Sequence, residues 1–224
     1  MALFMLAGVA GAAVAGQYED AVAAYQRGDY ATAYRLMLPL AEKGNAGMQT
    51  AVGTMYAQGQ GVPLNYPEAL KWFRKAADQG EADAQFDLGQ AAYTGKGVPQ
   101  NYSEALKWYR LSAEQGLAAA QSNLGLMYAN GQAVSQDYAE AVKWYRRAAD
   151  QGDAIAQSNL GLMYAQGRGV PQDYVVAHVW LNLSAAQGYD TAIKNRDIVA
   201  ERMTPEQVAE AQKLAREWKP KLER

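Results

Sequence analysis

The 224-residue chain is predicted to be all-α: an α/α superhelical solenoid of about five 36-residue helix-turn-helix repeats with a capping helix at each end. Three observations predict it. Alanine, the strongest helix former, supplies 44 residues, and only seven prolines interrupt the chain. Four series recur with a step of 36: Tyr30, Tyr66, Tyr102, Tyr138 and Tyr174; Trp72, Trp108, Trp144 and Trp180; Gly44, Gly80, Gly116, Gly152 and Gly188; Gly53, Gly89, Gly125 and Gly161. The units that begin at Tyr102 and Tyr138 share 25 of 36 residues, which leaves chance no part in the pattern.

Residues 1–16 carry no charged side chain. They fall short of the roughly 20 residues that a membrane-spanning helix needs. Ala13-Val14-Ala15 has the small-x-small form of a signal-peptidase site, and polar Gln17-Tyr18-Glu19-Asp20 follows at once. A signal peptide cleaved after Ala15 is therefore expected, with a periplasmic or secreted protein as its consequence. No Lys or Arg precedes the apolar run, so the alternative is an apolar first segment on a cytoplasmic protein. Stable membrane insertion is not expected. Residues 17–29 form an N-terminal capping helix, and repeats follow at 30–65, 66–101, 102–137, 138–173 and 174–203.

Each repeat is two helices, and its punctuation shows where they start and stop. Asn65 with Glu68, Asn101 with Glu104 and Asp137 with Glu140 have the spacing of a capping box, in which cap side chain and glutamate each bond the other's backbone amide. Pro67 is tolerated in a first turn, where no amide is needed. The first helix then buries one stripe, Tyr66, Ala69, Leu70, Phe73, Ala76 and Ala77. It ends at Gly80, which suits a left-handed turn. The second helix, about Ala82 to Thr94, ends at Gly95-Lys96-Gly97-Val98-Pro99. Gly53, Gly89, Gly125 and Gly161 lie inside second helices, where glycine costs about 1 kcal/mol against alanine. Close approach of another helix is the expected reason, and Asp197 in the same slot of the last repeat fits a terminal unit with no further neighbour. Residues 204–224 are a C-terminal capping helix and tail. Thr204 caps it, Pro205 takes its first position, Gln207 closes a box, and it is expected to cover the open end of the solenoid.

Blocks such as Tyr138 to Ala149 (YAEAVKWYRRAA), Ala156 to Tyr164 (AQSNLGLMY) and Gly167 to Pro171 (GRGVP) resemble Sel1-like repeats, relatives of the tetratricopeptide repeats, over roughly residues 18–218. The resemblance implies a superhelix that acts by binding proteins, often as an adaptor in signalling, quality control, envelope biogenesis or host interaction. Ala92-Tyr93 departs from the Met-Tyr pairs at Met55-Tyr56, Met127-Tyr128 and Met163-Tyr164, so local packing is expected to differ there.

Composition narrows function further. Lys and Arg number 21 against 23 Asp and Glu, a net charge of -2, without the basic excess that phosphate binding needs, so nucleic acid is not expected as a partner. There is no cysteine, which removes disulfides, thiolate metal sites and cysteine nucleophiles. The single histidine, His178, aligns with Val142 and Leu70 and is expected to be a packing residue, and no metal or cofactor is predicted. The glycine connectors around Lys96 and Arg168 follow helices, lack P-loop spacing and are rejected as phosphate loops. Asn123, Asn159 and Asn195 are expected to make buried hydrogen bonds between repeats.

A non-catalytic scaffold that takes a peptide or partner protein on its superhelical surface is the function expected. Cysteine-rich secreted relatives described as β-lactamase-like or penicillin-binding suggest an enzyme as the alternative. This chain lacks their cysteines, and none of its serines opens a Ser-x-x-Lys motif. The candidate binding residues lie on the outward side of the first helices: Lys71, Trp72 and Arg74; Lys107, Trp108 and Arg110; Lys143, Trp144 and Arg146. Trp72 lies about 100° from Phe73 on the helix wheel, at the margin of the buried stripe, so the tryptophans either pack between repeats or form an aromatic ladder. The cations either solvate the helix or meet an acidic segment.

Overall fold

The computed structural model describes residues 16–221, among which there are twelve helices and no strand. Residues 16–26 are helical (α1). They are followed by α2 (Tyr30–Glu42), α3 (Ala46–Gln58), α4 (Tyr66–Ala77), α5 (Ala82–Thr94), α6 (Tyr102–Glu114) and α7 (Ala118–Asn130). Then come α8 (Tyr138–Asp150), α9 (Ala154–Gln166), α10 (Tyr174–Ala186), α11 (Asp190–Ala200) and α12 (Pro205–Glu217). The chain divides into two compact units, one ending at Asn101 and one beginning at Tyr102. Within each, every helix packs on its neighbours in sequence, α2 to α5 in the first and α6 to α11 in the second, which is the architecture of an all-α repeat solenoid. The expected signal segment lies outside the described residues.

The 36-residue step is written in backbone conformation. Gly44, Gly80, Gly116, Gly152 and Gly188 all have positive φ, between +83° and +100°, and turn each first helix into its second. Gly59, Gly95, Gly131 and Gly167 end the second helices in the same left-handed region. A further left-handed residue follows two positions on, at Gly61, Gly97 and Gly169, and the third connector places Ala133 there, at φ +60°. A Cβ at Gly61 or Gly169 would stand 2.4 or 2.3 Å from the carbonyl oxygen of Tyr30 or Tyr138, so both the turn and the contact exclude a side chain.

The interior glycines are packing devices. A Cβ on Gly53 would lie 2.6 Å from the Phe73 ring, one on Gly125 2.8 Å from Tyr145, and one on Gly161 2.7 Å from Leu181. Each contact joins a second helix to the first helix of the next repeat. Asp197 occupies this slot in α11; it is exposed and paired with Arg196 at 2.8 Å. No following helix approaches there, because a carboxylate would have to be buried. α12 lies along α10.

Two expectations are corrected. The boxes at Asn65 and Asp137 are half-formed: their side chains accept from the amides of Glu68 and Glu140, at 3.1 and 2.9 Å. The glutamates do not reach back, because the amides of Asn65 and Asp137 already donate to the carbonyls of Tyr56 and Tyr128. Only Thr204 and Gln207 make the full box among the described caps. Asn123, Asn159 and Asn195 are half-buried, not buried. Fully buried bonding is made by Gln49, Gln85, Gln121 and Gln157, whose Nε2 atoms donate to Ala41, Ala77, Ala113 and Ala149 in the last turn of the preceding helix. In turn Gln79, Gln151 and Gln187 donate to Gln49, Gln121 and Gln157 at 2.7 to 2.9 Å, stitching repeat to repeat. At Ala92-Tyr93 the packing does differ: the tyrosine slot of Tyr56, Tyr128 and Tyr164 holds buried Ala92, and half-buried Tyr93 lies one residue further round the helix.

Candidate functional site

The outward sides of the first helices carry the nine candidate residues, and the structure sorts them by type. Trp72 and Trp108 are only 7% and 5% exposed. Trp72 belongs to the core of the first unit with Met37, Leu40, Val52 and Met55. Trp72 therefore packs between repeats, Trp108 is buried, and the open aromatic ladder is not present at these two positions. Trp144 is half-buried, and its Nε1 is buried without a hydrogen-bond partner. Each ring is roofed by a cation: Lys75 over Trp72 at 4.1 Å, Lys107 over Trp108 at 5.3 Å and Arg147 over Trp144 at 4.8 Å.

Lys71, Lys107 and Lys143 are exposed. Lys71 pairs with Glu68 at 2.7 Å and Lys143 with Glu140 at 2.8 Å, both one helical turn apart and open to water. Such pairs contribute only about 0.2–0.5 kcal/mol, and the hydrogen bond to Glu140 raises the Lys143 pKa above the usual lysine value. Arg110 and Arg146 reach from first helix to second, where Nη2 of Arg110 donates to the Tyr128 hydroxyl at 2.8 Å and Arg146 donates to that of Tyr164. Arg146 also lies over the Trp180 ring at 5.6 Å. Arg74 is exposed, and its tyrosine slot is the one filled by Ala92.

Beside α4 in the first unit, Pro67, Leu70, Lys71, Arg74, Gly97 and Val98 line an open groove of about 490 Å³. It brings two of the predicted cations together with an aliphatic wall. In the second unit the chain's C-terminal tail lies against α10 and the end of α8. Trp218, after α12, meets Trp180 edge-on at 6.2 Å, and the Lys221 amide donates to the Asp150 carbonyl at 2.6 Å. Sequence reasoning overlooked the glutamine ladder, although the glutamines recur every 36 residues just as the tyrosines do.

The single histidine and Ser184 are both taken up in packing. The Ser184 hydroxyl is committed to the Ala154 carbonyl at 2.6 Å. His178 is 2% exposed, and burial, with Arg196 adding to it, lowers its pKa, so its ring is neutral at pH 7. Among the described residues no cluster of His, Asp or Glu could hold a metal ion, and no helix is long and apolar enough to cross a membrane.

Comparison with known proteins follows the same architecture. The chain is similar to a Sel1 repeat protein of Oxalobacter formigenes, with 32% identity over 92% of this chain and 88% of that one, at a TM-score of 0.77. It is also similar to a protective antigen of uropathogenic Escherichia coli with an SLR fold, at 30% identity over 92% of this chain and 53% of that one, TM-score 0.61. An immunity protein of Pseudomonas aeruginosa, Pa5087, shares the fold at 20% identity and a TM-score of 0.55, over 89% of this chain and 79% of that one. No curated protein sequence matches the chain. The Sel1 repeat model matches residues 46–81, 82–117, 118–153 and 154–189, the same 36-residue period counted from the second helix, and the chain belongs to the Sel1 repeat family.

Proposed function

We propose that this protein is a non-catalytic scaffold that binds a peptide or partner protein on the outward faces of its first helices. The groove beside α4 carries the reading, because it is concave and has an aliphatic wall with Lys71 and Arg74 at its rim. Lys107 and Lys143 offer the same exposed ammonium groups on α6 and α8 in the second unit. Positive charge on an otherwise slightly acidic chain favours an acidic segment. Membership of a repeat family that commonly serves protein binding supports this reading. We also propose export after cleavage at Ala15; the kinship with a protective antigen is in keeping with it. The mass of the chain made in its own host would then begin at Gly16.

Charge reversal tests the binding face. Lys71→Glu with Arg74→Glu, and separately Lys107→Glu with Lys143→Glu, are expected to abolish capture of partners that the unaltered chain retains from host extract. Melting temperatures should stay within a degree or two, since all four side chains are exposed. Undiminished capture by both variants removes these faces from the function.

A further inference from the structure

A second crevice lies away from the outward face of the first helices, between the C-terminal halves of α9 and α11. Its volume is about 470 Å³, within the range of ligand sites. Arg168, Gln172, Tyr174, Asn195, Ile198 and Arg202 are prominent in its lining. Both charged side chains that line it are arginines, and no carboxylate does. Each guanidinium is steadied by a tyrosine: Arg168 lies over the Tyr138 ring at 5.3 Å, and Nη1 of Arg202 is 3.4 Å from the Tyr174 hydroxyl. Neither forms an ion pair among the described residues, and most of their donors remain free for a ligand. Ile198 is 55% exposed at the crevice, with buried Val199 beside it in sequence and in the lining.

The repeat provides its own control. Three repeats earlier, between α3 and α5, the equivalent crevice is lined by Ala57, Gln58, Tyr66, Asp87 and Lys96, and holds about 260 Å³. There a carboxylate accompanies the cation. In the last repeat Asn195 stands in the Asp87 slot, and Arg202 takes the place of Thr94. Solenoid geometry thus makes the crevice, whereas Arg202 and the uncharged Asn195 are what the last repeat adds beside Arg168 of the repeat before it, and packing requires neither guanidinium, since both arginines are exposed.

We propose that this crevice is a docking site for an acidic peptide segment of a partner protein. Its carboxylates meet Arg168 and Arg202, and an aliphatic side chain rests on Ile198 and Val199. Guanidinium forks suit carboxylates through paired hydrogen bonds, and a concave setting concentrates the field of two like charges. The apolar part of the lining favours a peptide over a free anion. This surface is separate from the first-helix face, so either reading can fail alone.

The test uses the full chain, isotope-labelled for NMR, and an N-acetylated pentapeptide, Glu-Asp-Leu-Asp-Glu, at physiological salt. Saturable shifts are expected at the backbone amides of Asn195, Ile198 and Arg202. Affinity should fall at least tenfold in the Arg168→Gln/Arg202→Gln double variant, with melting unchanged. The neutral pentapeptide Gln-Asn-Leu-Asn-Gln should leave those amides in place. Absence of saturable shifts, equal affinity in the double variant, or equal binding of the neutral peptide would overturn the proposal. So would inorganic phosphate, if it produced the same shifts with the same affinity, since the site would then read charge alone.

Discussion

At Ala133 the chain holds an L-residue in left-handed backbone, φ +60°, where the first, second and fourth connectors use glycine. That conformation costs roughly 1–2 kcal/mol for a residue with a Cβ, partly offset by the greater freedom glycine restores to the unfolded chain. Ala133→Gly should therefore stabilise the protein by about 0.5–1 kcal/mol, read as a higher denaturant midpoint with an unchanged slope; a lower midpoint would mean that the methyl group packs favourably. Asp87 presents the electrostatic counterpart. Burial, with Asp83 one turn away adding to it, pushes its pKa up to about 7, and Lys96 lines the same crevice. The folded chain then keeps a proton that the unfolded chain has released, so stability should fall as pH rises from about 4 to 7 and level off above. Asp87→Asn, the residue that the later repeats use at this slot, should flatten that slope. At pH 8 it should add on the order of 2 kcal/mol, after discounting for solvent screening of a half-buried group. Melting curves at pH 5 and pH 8 decide it; equal gains at both values would mean that charge is not the cause.

Among the elements, α12 is lightly held. It buries only Ala211 and Ala215, while Leu214 is 44% exposed, whereas α8 buries five residues and α10 six. Its anchor comes after the helix, where Trp218 meets Trp180 and Lys221 reaches Asp150 through its backbone and, at 3.6 Å, its ammonium group. Trp218→Ala should release α12 locally, because little else holds it, and cost about 1–2 kcal/mol for a half-buried indole. Trypsin is expected to cut after Lys213 and Arg216 at least tenfold faster, with global melting lowered by a few degrees at most. Unchanged cleavage would assign the anchoring to the alanine stripe. Docking of this helix on α10 follows from two adjacent facts, Asp197 closing the stack at α11 and Trp180 offering an aromatic edge on α10.

Across the whole molecule, stability in a solenoid is a sum of neighbouring contacts, so interior helices are braced on two sides and terminal ones on one. Met127, Leu124, Leu160 and Leu181 are fully buried, and their amides should exchange slowest with solvent. Those of α1 and α12 should exchange fastest, by a factor of 10³ or more, since local opening needs only part of the global free energy. Uniform exchange rates would show that the chain opens as a single block. At this scale the sequence by itself determined the all-α class, the 36-residue period, the helix ends and the glycines that admit the next helix, because each depends on residues close in the chain or on a repeated spacing. Where the nine candidate side chains go was decided only by the tertiary structure. Trp72 looks the same in sequence whether it lies in a core or on an open face, and Arg110 and Arg146 are tied to tyrosines 18 residues away. The half-made capping boxes, the tail across α10 and the paired arginines between α9 and α11 also depend on which groups distant segments bring within hydrogen-bonding or packing distance, and periodicity along one chain carries no record of that.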